Sequence, residues 1–258
     1  MLSPPKTGVN VRNDTIKTMN DLHGKTILIT GAARRLGCAF ALACGRAGAD
    51  LILHHGHSPA EAESLRDELA SFGAQAWVLT ADFSHPESAS QLIEDASKLS
   101  PLYGLVNSAA IFEPLTVHDT TLTDWNRHLN INLTTPFLLS QAFAKHVNKG
   151  RIVNILDWRA MRPGADHFPY TISKSALAAM TKSLAVALAP HITVNGLALG
   201  AILPPADNLS ASEKIIESVP AKRWSEAGEV EDALLFLLSG PAYITGEIIH
   251  VDGGRHLT

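Results

Sequence analysis

A short apolar, β-branched run from Thr26 to Thr30 breaks into Gly31-Ala32-Ala33-Arg34-Arg35-Leu36-Gly37, and small and apolar residues then continue at helical spacing to about Ala47. Strand, glycine-containing turn and helix form the opening of a βαβ unit, and the same alternation runs on along the chain. It predicts strands at Leu51–His54, Ala76–Thr80, Leu105–Asn107, Arg151–Leu156, Thr193–Leu197 and Ile248–Val251. Between them it predicts helices at Pro59–Phe72, Pro86–Leu99, about Thr123–Val147, Pro169–Ala189 and Glu229–Leu238, with a polar excursion from Pro204 to Trp224. Several strands are apolar throughout, as expected when helices cover both faces of a parallel sheet. The expectation is an α/β fold: one doubly wound, Rossmann-type parallel sheet flanked by helices, forming a single domain over residues 22–258. Residues 1–21 are polar and read as an N-terminal extension.

Composition narrows the function classes. The 258 residues are 46% hydrophobic and 18% charged, which suits a packed core rather than a disordered chain. A net charge of −4 and the absence of a basic tract argue against nucleic-acid binding, which needs a dense Lys/Arg field. Apolar runs such as Ala39 to Cys44 fall far short of the roughly 20 residues that span a bilayer, so no membrane partner is expected. No apolar signal segment opens the chain, and two cysteines on different faces of one helix, Cys38 and Cys44, suit neither a disulfide nor a zinc site. A cytoplasmic protein is expected.

The first βα turn of such a fold lies at a helix N-terminus, where backbone N–H groups and the helix dipole favour a pyrophosphate. Gly31 permits the sharp turn and Gly37 lets helix and strand pack closely, although Arg35 stands where a middle glycine is common. Where nicotinamide cofactors bind, an Asp or Glu near the end of the second strand selects the 2′-hydroxyl form. Here that strand ends His54-His55-Gly56-His57-Ser58, without an acid, while Arg34 and Arg35 bring positive charge to the neighbouring turn. These features favour NADPH. The alternatives are solvated arginines and a surface histidine cluster; a metal site is disfavoured, because adjacent strand residues point to opposite faces.

Tyr170 and Lys174 are spaced i, i+4 at the start of a long helix, so phenol and ammonium share a face. The nearby cation is expected to pull the tyrosine pKa down toward the range of a general acid, and Lys174 is placed to hold a nicotinamide ribose. Asp157 ends a strand at the edge where an open sheet carries its ligand crevice. A buried carboxyl can help relay a proton to nitrogen, which points to reduction of a C=N bond; the plainer role is a loop cap or an ion pair with Arg159 or Arg162. Phe112 is either core or a stacking surface.

Taken together these pieces resemble the short-chain dehydrogenase/reductase family from about Leu22 to Leu257. The matching motifs are Thr30-Gly31…Gly37, Asp82, Asn107-Ser108-Ala109-Ala110, Asn132 in Asn132-Leu133-Thr134-Thr135-Pro136, Tyr170…Lys174, Asn195-Gly196 and Val251-Asp252-Gly253-Gly254. Most members carry a serine thirteen residues before the tyrosine, where this chain has Asp157. Arg34-Arg35-Leu36-Gly37, Asn-Ser-Ala-Ala, Asp157 and Gly253-Gly254-Arg255 are similar to the pteridine reductase branch. The resemblance implies that Asp157 assists Tyr170, that Asn132 supports a water relay, and that Phe112 and Arg35 contact the substrate. It extends the cofactor-binding set to Leu36, His55, His57, Ser58, Asp82, Phe83, Asn107, Ser108, Ala109, Gly200 and Ile202, with His57 and Ser58 where an Arg-Ser pair grips a 2′-phosphate. It also implies a homotetramer assembled through the helices carrying Asn132 and Tyr170.

The resulting expectation is an NADPH-dependent oxidoreductase that passes hydride to an oxidised pterin such as a dihydropterin or dihydrofolate. The alternatives are a carbonyl reductase acting on a 3-oxoacyl thioester or small ketone, and a catalytically silent NADPH-binding regulator. Trp158 and the excursion ending at Trp224 are expected to wall the substrate pocket.

Overall fold

The computed structural model describes residues 20–203 and 215–258; residues 1–19, most of the polar extension, and 204–214 of the excursion lie outside the described residues. Seven parallel strands run in the order β3-β2-β1-β4-β5-β6-β7. They are β1 (Thr26–Ile29), β2 (Asp50–His55), β3 (Ala76–Thr80), β4 (Leu102–Asn107), β5 (Gly150–Asp157), β6 (Ile192–Leu199) and β7 (Ile248–Val251). Alternate residues feed opposite faces. Ile27, Ile29, Leu51, Leu53, Val106 and Val153 pack with Phe40, Cys44, Leu234 and Leu238 on one side. Leu28, Ile52, Leu105, Ile152 and Val194 pack with Ile93, Leu139, Phe143 and Ala185 on the other. Burial on both faces is the reason these strands read as continuous apolar runs.

Those covering residues belong to α1 (Arg35–Arg46), α3 (Ser88–Leu99), α5 (Thr135–His146), α6 (Phe168–Leu188) and α7 (Glu229–Ser239), and Leu65 and Leu69 of α2 (Pro59–Ser71) join the first face. No helix among the described residues is long and apolar enough to cross a membrane. The chain joins the core from Leu22, which is buried and donates its N–H to the Ala47 carbonyl at 2.9 Å.

One element differs from the sequence expectation. The helix expected over Thr123–Val147 is α4 (Leu122–Leu129), one π-helical turn at Asn130–Thr134, and then α5. In an unbroken α-helix the N–H of residue 136 would bond the Asn132 carbonyl, and Pro136 has none. The Asn132 side chain is also drawn into another element: Oδ1 accepts from the Ile111 N–H at 2.9 Å and Nδ2 donates to the Ile111 carbonyl at 3.0 Å. A π-turn of this kind is often found at a functional site.

The order of strands reverses between β1 and β4, so the loops after their C-terminal ends splay apart and leave a crevice. Thr30 ties its two sides together, its Oγ1 accepting from the N–H groups of Ser108 at 3.0 Å and Ala109 at 3.1 Å. Gly31 takes φ +66°, and a Cβ on Gly37 would sit 2.1 Å from the Gly31 carbonyl oxygen. Gly37→Ala must therefore push α1 off the end of β1. A loss of about 1–3 kcal/mol in urea unfolding is expected, the range of an overpacked site; an unchanged midpoint would contradict this packing.

Candidate active site

The crevice is a cleft of about 1080 Å³. That is the upper end of the size range of small-ligand sites. It runs from Arg34 and His57 at one end to Trp158, Trp224 and Arg255 at the other, with Tyr170 and Lys174 on its wall between them.

The first end is built on the N-terminus of α1. No side chain caps this helix and no acid stands in its first turn, so its leading N–H groups are left for a ligand anion. Arg35 holds φ +51°, a rare conformation for a residue with a Cβ, and lines the cleft. Arg34 also lines it and pairs with Glu61 of α2. Leu36, Asp82, Phe83, Ser108, Ala109, Gly200 and Ile202 also line the cleft. Asp82 Oδ1 accepts from the Ser84 N–H at 2.9 Å, which holds the carboxyl below its usual range. The open N–H groups, the glycine cradle and the flanking arginines fit the pyrophosphate and phosphate of a dinucleotide.

The histidines divide their work in a way the sequence did not disclose. His54 Nδ1 accepts the Gly31 N–H at 3.1 Å, Nε2 lies 3.0 Å from the Ala81 carbonyl, and the ring stacks on Phe83 with centroids 4.1 Å apart. Burial pushes its pKa down to about 4, so the ring is neutral at pH 7, with the proton assigned to Nε2 by its partners. It holds the turn at Gly31 in place and lines the cleft, and sequence reasoning missed it. His55 sits behind the cleft wall, with Nε2 3.0 Å from Thr80 Oγ1 and Nδ1 accepting from the Ser58 N–H at 3.4 Å. Ser58 is the residue before α2. Of the later pair, His57 alone lines the cleft.

Asn107 and Asn132 also stand behind the wall. Asn107 Nδ2 donates to Asn154 Oδ1 at 2.8 Å, and Asn154 in turn donates to Thr181 Oγ1 at 2.9 Å, forming a buried brace beneath the sheet edge. Asn132 Nδ2 donates to Ser173 Oγ at 3.1 Å as well as to Ile111. It therefore clamps the residue preceding Phe112 to the helix that carries Tyr170.

At the centre, Tyr170 Oη donates to Asp157 Oδ2 at 3.1 Å. The other oxygen, Oδ1, accepts the Arg159 N–H at 2.9 Å and lies 3.8 Å from an Arg159 guanidinium nitrogen. The loop-capping role and the tyrosine contact thus coexist on one carboxylate. Burial, and then the Asp157 charge, raises the Tyr170 pKa well above 10. This corrects the expectation of a lowered value. Lys174 turns its ammonium to the Ile155 carbonyl at 2.7 Å, 5.7 Å from the tyrosine ring centroid, and burial brings its own pKa down to about 8. The result is a phenol that keeps its proton at neutral pH and donates it in a hydrogen bond to the Asp157 carboxylate.

Phe112 is 52% exposed and forms part of the cleft wall rather than the core. It stacks face to face on His167 at 3.9 Å and meets Tyr170 edge-on at 4.7 Å. A flat aromatic surface therefore adjoins the Tyr170 ring.

Known proteins resemble this chain in sequence and in fold. A family model described as Enoyl-(Acyl carrier protein) reductase matches residues 31–256. A 3-oxoacyl-[acyl-carrier-protein] reductase of Synechocystis is 33% identical over 244 residues, covering 92% of this chain and 98% of that one. Among solved structures, FolM Alternative dihydrofolate reductase 1 from Brucella canis, complexed with NADP, superposes with TM-score 0.86 at 32% identity, covering 93% of this chain and 96% of that one. A blue fluorescent protein from a metagenomic library, in complex with NADPH, has TM-score 0.85 and 34% identity, covering 91% and 99% of the two chains. With its parallel sheet, its Tyr170/Lys174 pair and these matches along nearly its whole described length, the chain belongs to the short-chain dehydrogenase/reductase family and is an oxidoreductase.

Proposed function

We propose that the protein is an NADPH-dependent reductase of oxidised pterins, of the dihydropterin or dihydrofolate type. The observation that carries this reading is the 3.1 Å contact of Tyr170 with Asp157 at the edge of an exposed aromatic ring. The NADP complexes of similar structures support the cofactor assignment.

Arg34, Arg35, His57, the α1 N-terminus and Lys174 hold NADPH, which when bound supplies a hydride. Arg35 and Phe112 border both ligands, and Phe112 offers its ring to the flat pterin. Hydride goes to the carbon of a C=N bond and the nitrogen takes a proton. Tyr170 delivers that proton and is reprotonated from solvent, while Asp157, which accepts its hydrogen bond, holds the hydroxyl in position. A serine hydroxyl in place of Asp157 could donate a hydrogen bond to a carbonyl oxygen, which an ionised carboxylate cannot. Lys174 keeps positive charge beside the tyrosine, while Asn132 fixes the backbone next to Phe112. Among the inferred cofactor contacts, His55, Ser58 and Asn107 act by supporting the wall. The same reading carries a homotetramer, with exposed Phe137 on α5 and Val186 on α6 at the helices concerned.

A second reading, reduction of a 3-oxoacyl thioester, is favoured by the Synechocystis relative and by similar curated reductases. Side-by-side NADPH oxidation with 7,8-dihydrobiopterin, dihydrofolate and an acetoacetyl thioester separates the two; turnover of the thioester alone would overturn the pterin reading. Tyr170→Phe is expected to cost about 10²–10⁴-fold in kcat on pterins, the size of a lost general acid. Asp157→Ser is expected to lower pterin reduction by roughly 10²-fold while cofactor binding, followed by fluorescence, is retained. Lys174 is charged below its pKa of about 8 and neutral above it, so kcat/KM for reduction should fall as pH rises through that value. A profile flat from pH 7 to 10 would remove Lys174 from this role.

A further inference from the structure

Beyond the reacting centre, the cleft ends in two arginines gathered on one indole. The guanidinium carbon of Arg159 lies 4.8 Å from the Trp158 ring centroid and that of Arg255 lies 4.4 Å from it. Their circumstances differ. Arg159 is neutralised locally, donating to Asp166 Oδ2 at 2.9 Å and standing 3.8 Å from Asp157. Among the described residues the Arg255 guanidinium makes no hydrogen bond or ion pair, and its Nε, like that of Arg159, is buried without a partner.

The position of Arg255 is built rather than incidental. It opens a short 3₁₀ turn, Arg255–Leu257, at the end of the chain. That turn is fastened by the buried Asp252, whose Oδ1 accepts from the Gly254 N–H at 2.9 Å and whose Oδ2 accepts from the His256 N–H at 2.9 Å and lies 2.7 Å from His256 Nδ1. Behind it, a Cβ on Gly253 would stand 2.7 Å from Val219, so the turn packs tightly against the segment after the excursion. A half-buried cation held this firmly, beside a second arginine and without a counter-anion, is costly unless a ligand supplies the charge. Burial and the like charge of Arg159 both pull the Arg255 guanidinium down from its ordinary value, against the opposing pull of Asp157, Asp166 and Asp252.

We infer that Arg255, with Arg159 and Trp158, forms a subsite for an anionic group on the tail of the substrate. The subsite rests on the pterin reading and narrows it. From Tyr170 the contacts run through Phe112 to Arg159, 5.6 Å above the Phe112 ring, then to Trp158 and Arg255. The anion recognised by Arg255 is therefore separated from the reacting ring by a spacer, for which Trp158 provides an apolar support. Tailed pterins bearing a carboxylate or a phosphate are preferred over neutral ones.

The test is steady-state reduction of dihydrofolate, 7,8-dihydroneopterin monophosphate and 7,8-dihydrobiopterin by the wild-type enzyme, Arg255→Gln and Arg255→Lys. Arg255→Gln should raise KM for one or both anionic substrates by about 10-fold or more, the scale of a charge-assisted hydrogen bond, with kcat little changed. KM for the neutral dihydrobiopterin should stay within about 2-fold, and Arg255→Lys should recover part of the loss. Which anionic substrate responds identifies carboxylate or phosphate as the source. Equal losses on all three substrates, or none on the anionic pair, would overturn the subsite while leaving pterin reduction standing. If the wild type reduces no pterin, the functional reading fails separately. Calorimetry of p-aminobenzoylglutamate and inorganic phosphate with the NADP⁺-bound protein then decides the subsite: weakened binding in Arg255→Gln supports it, whereas undiminished binding in the variant, or none to the wild type, overturns it.

Discussion

Docking of the first turns of α6 onto the end of β5 is the constraint on which the catalytic geometry depends. Lys174 is buried, and its ammonium is satisfied by a main-chain carbonyl, that of Ile155, rather than by an acid. A buried cation needs such a partner, and a strand's terminal carbonyl cannot move without the sheet. The bond therefore fixes the rotation and height of the helix. Tyr170, one turn earlier on the same face, is thereby brought to Asp157, two residues after Ile155 on the same strand. Spacing along the helix and along the strand together set one donor–acceptor distance.

The opposite side of the cleft is held by neutral polar groups. Thr30 joins the ends of β1 and β4, and the uncharged His54 joins Gly31 to the loop after β3. Asn107, Asn154 and Thr181 brace the sheet edge from within. Among the charged residues that line the cleft, Arg34, Arg35, Arg159, Lys174 and Arg255 outnumber Asp82, Asp157 and Asp166. The mild acidity of the whole chain conceals this local excess of cationic and potentially cationic groups, because net charge carries no positional information.

Much of this was legible in the chain itself. Apolar runs with glycine turns foretold the sheet, and the Tyr170/Lys174 spacing with Asp157 upstream foretold the centre of the cleft. The broken helix is marked in the sequence by Pro136, but the helical period runs across it, and the contact of Asn132 with Ile111 shows only in the fold. His54 was read with its neighbours as one cluster because nothing local separates a ring that braces Gly31 from a ring facing solvent. The tyrosine pKa was misjudged in sign: spacing shows that Lys174 is near, but only the fold shows that its ammonium faces a carbonyl and that a carboxylate stands closer to the phenol. Arg255 is a residue whose role emerges when strand β7 brings the chain's last turn beside Trp158.

The divided carboxylate of Asp157 has a consequence for how this enzyme can change over evolutionary time. One oxygen faces the Tyr170 hydroxyl and the other is anchored to the backbone of Arg159, in the same short segment that carries Trp158. Substitutions that reshape the wall for a new ligand must pass through the peptide that aims the carboxylate, so their effects will not add. The cleft wall and the peptide that aims the carboxylate are mechanically linked here, and a lineage that alters one inherits a compensating requirement on the other.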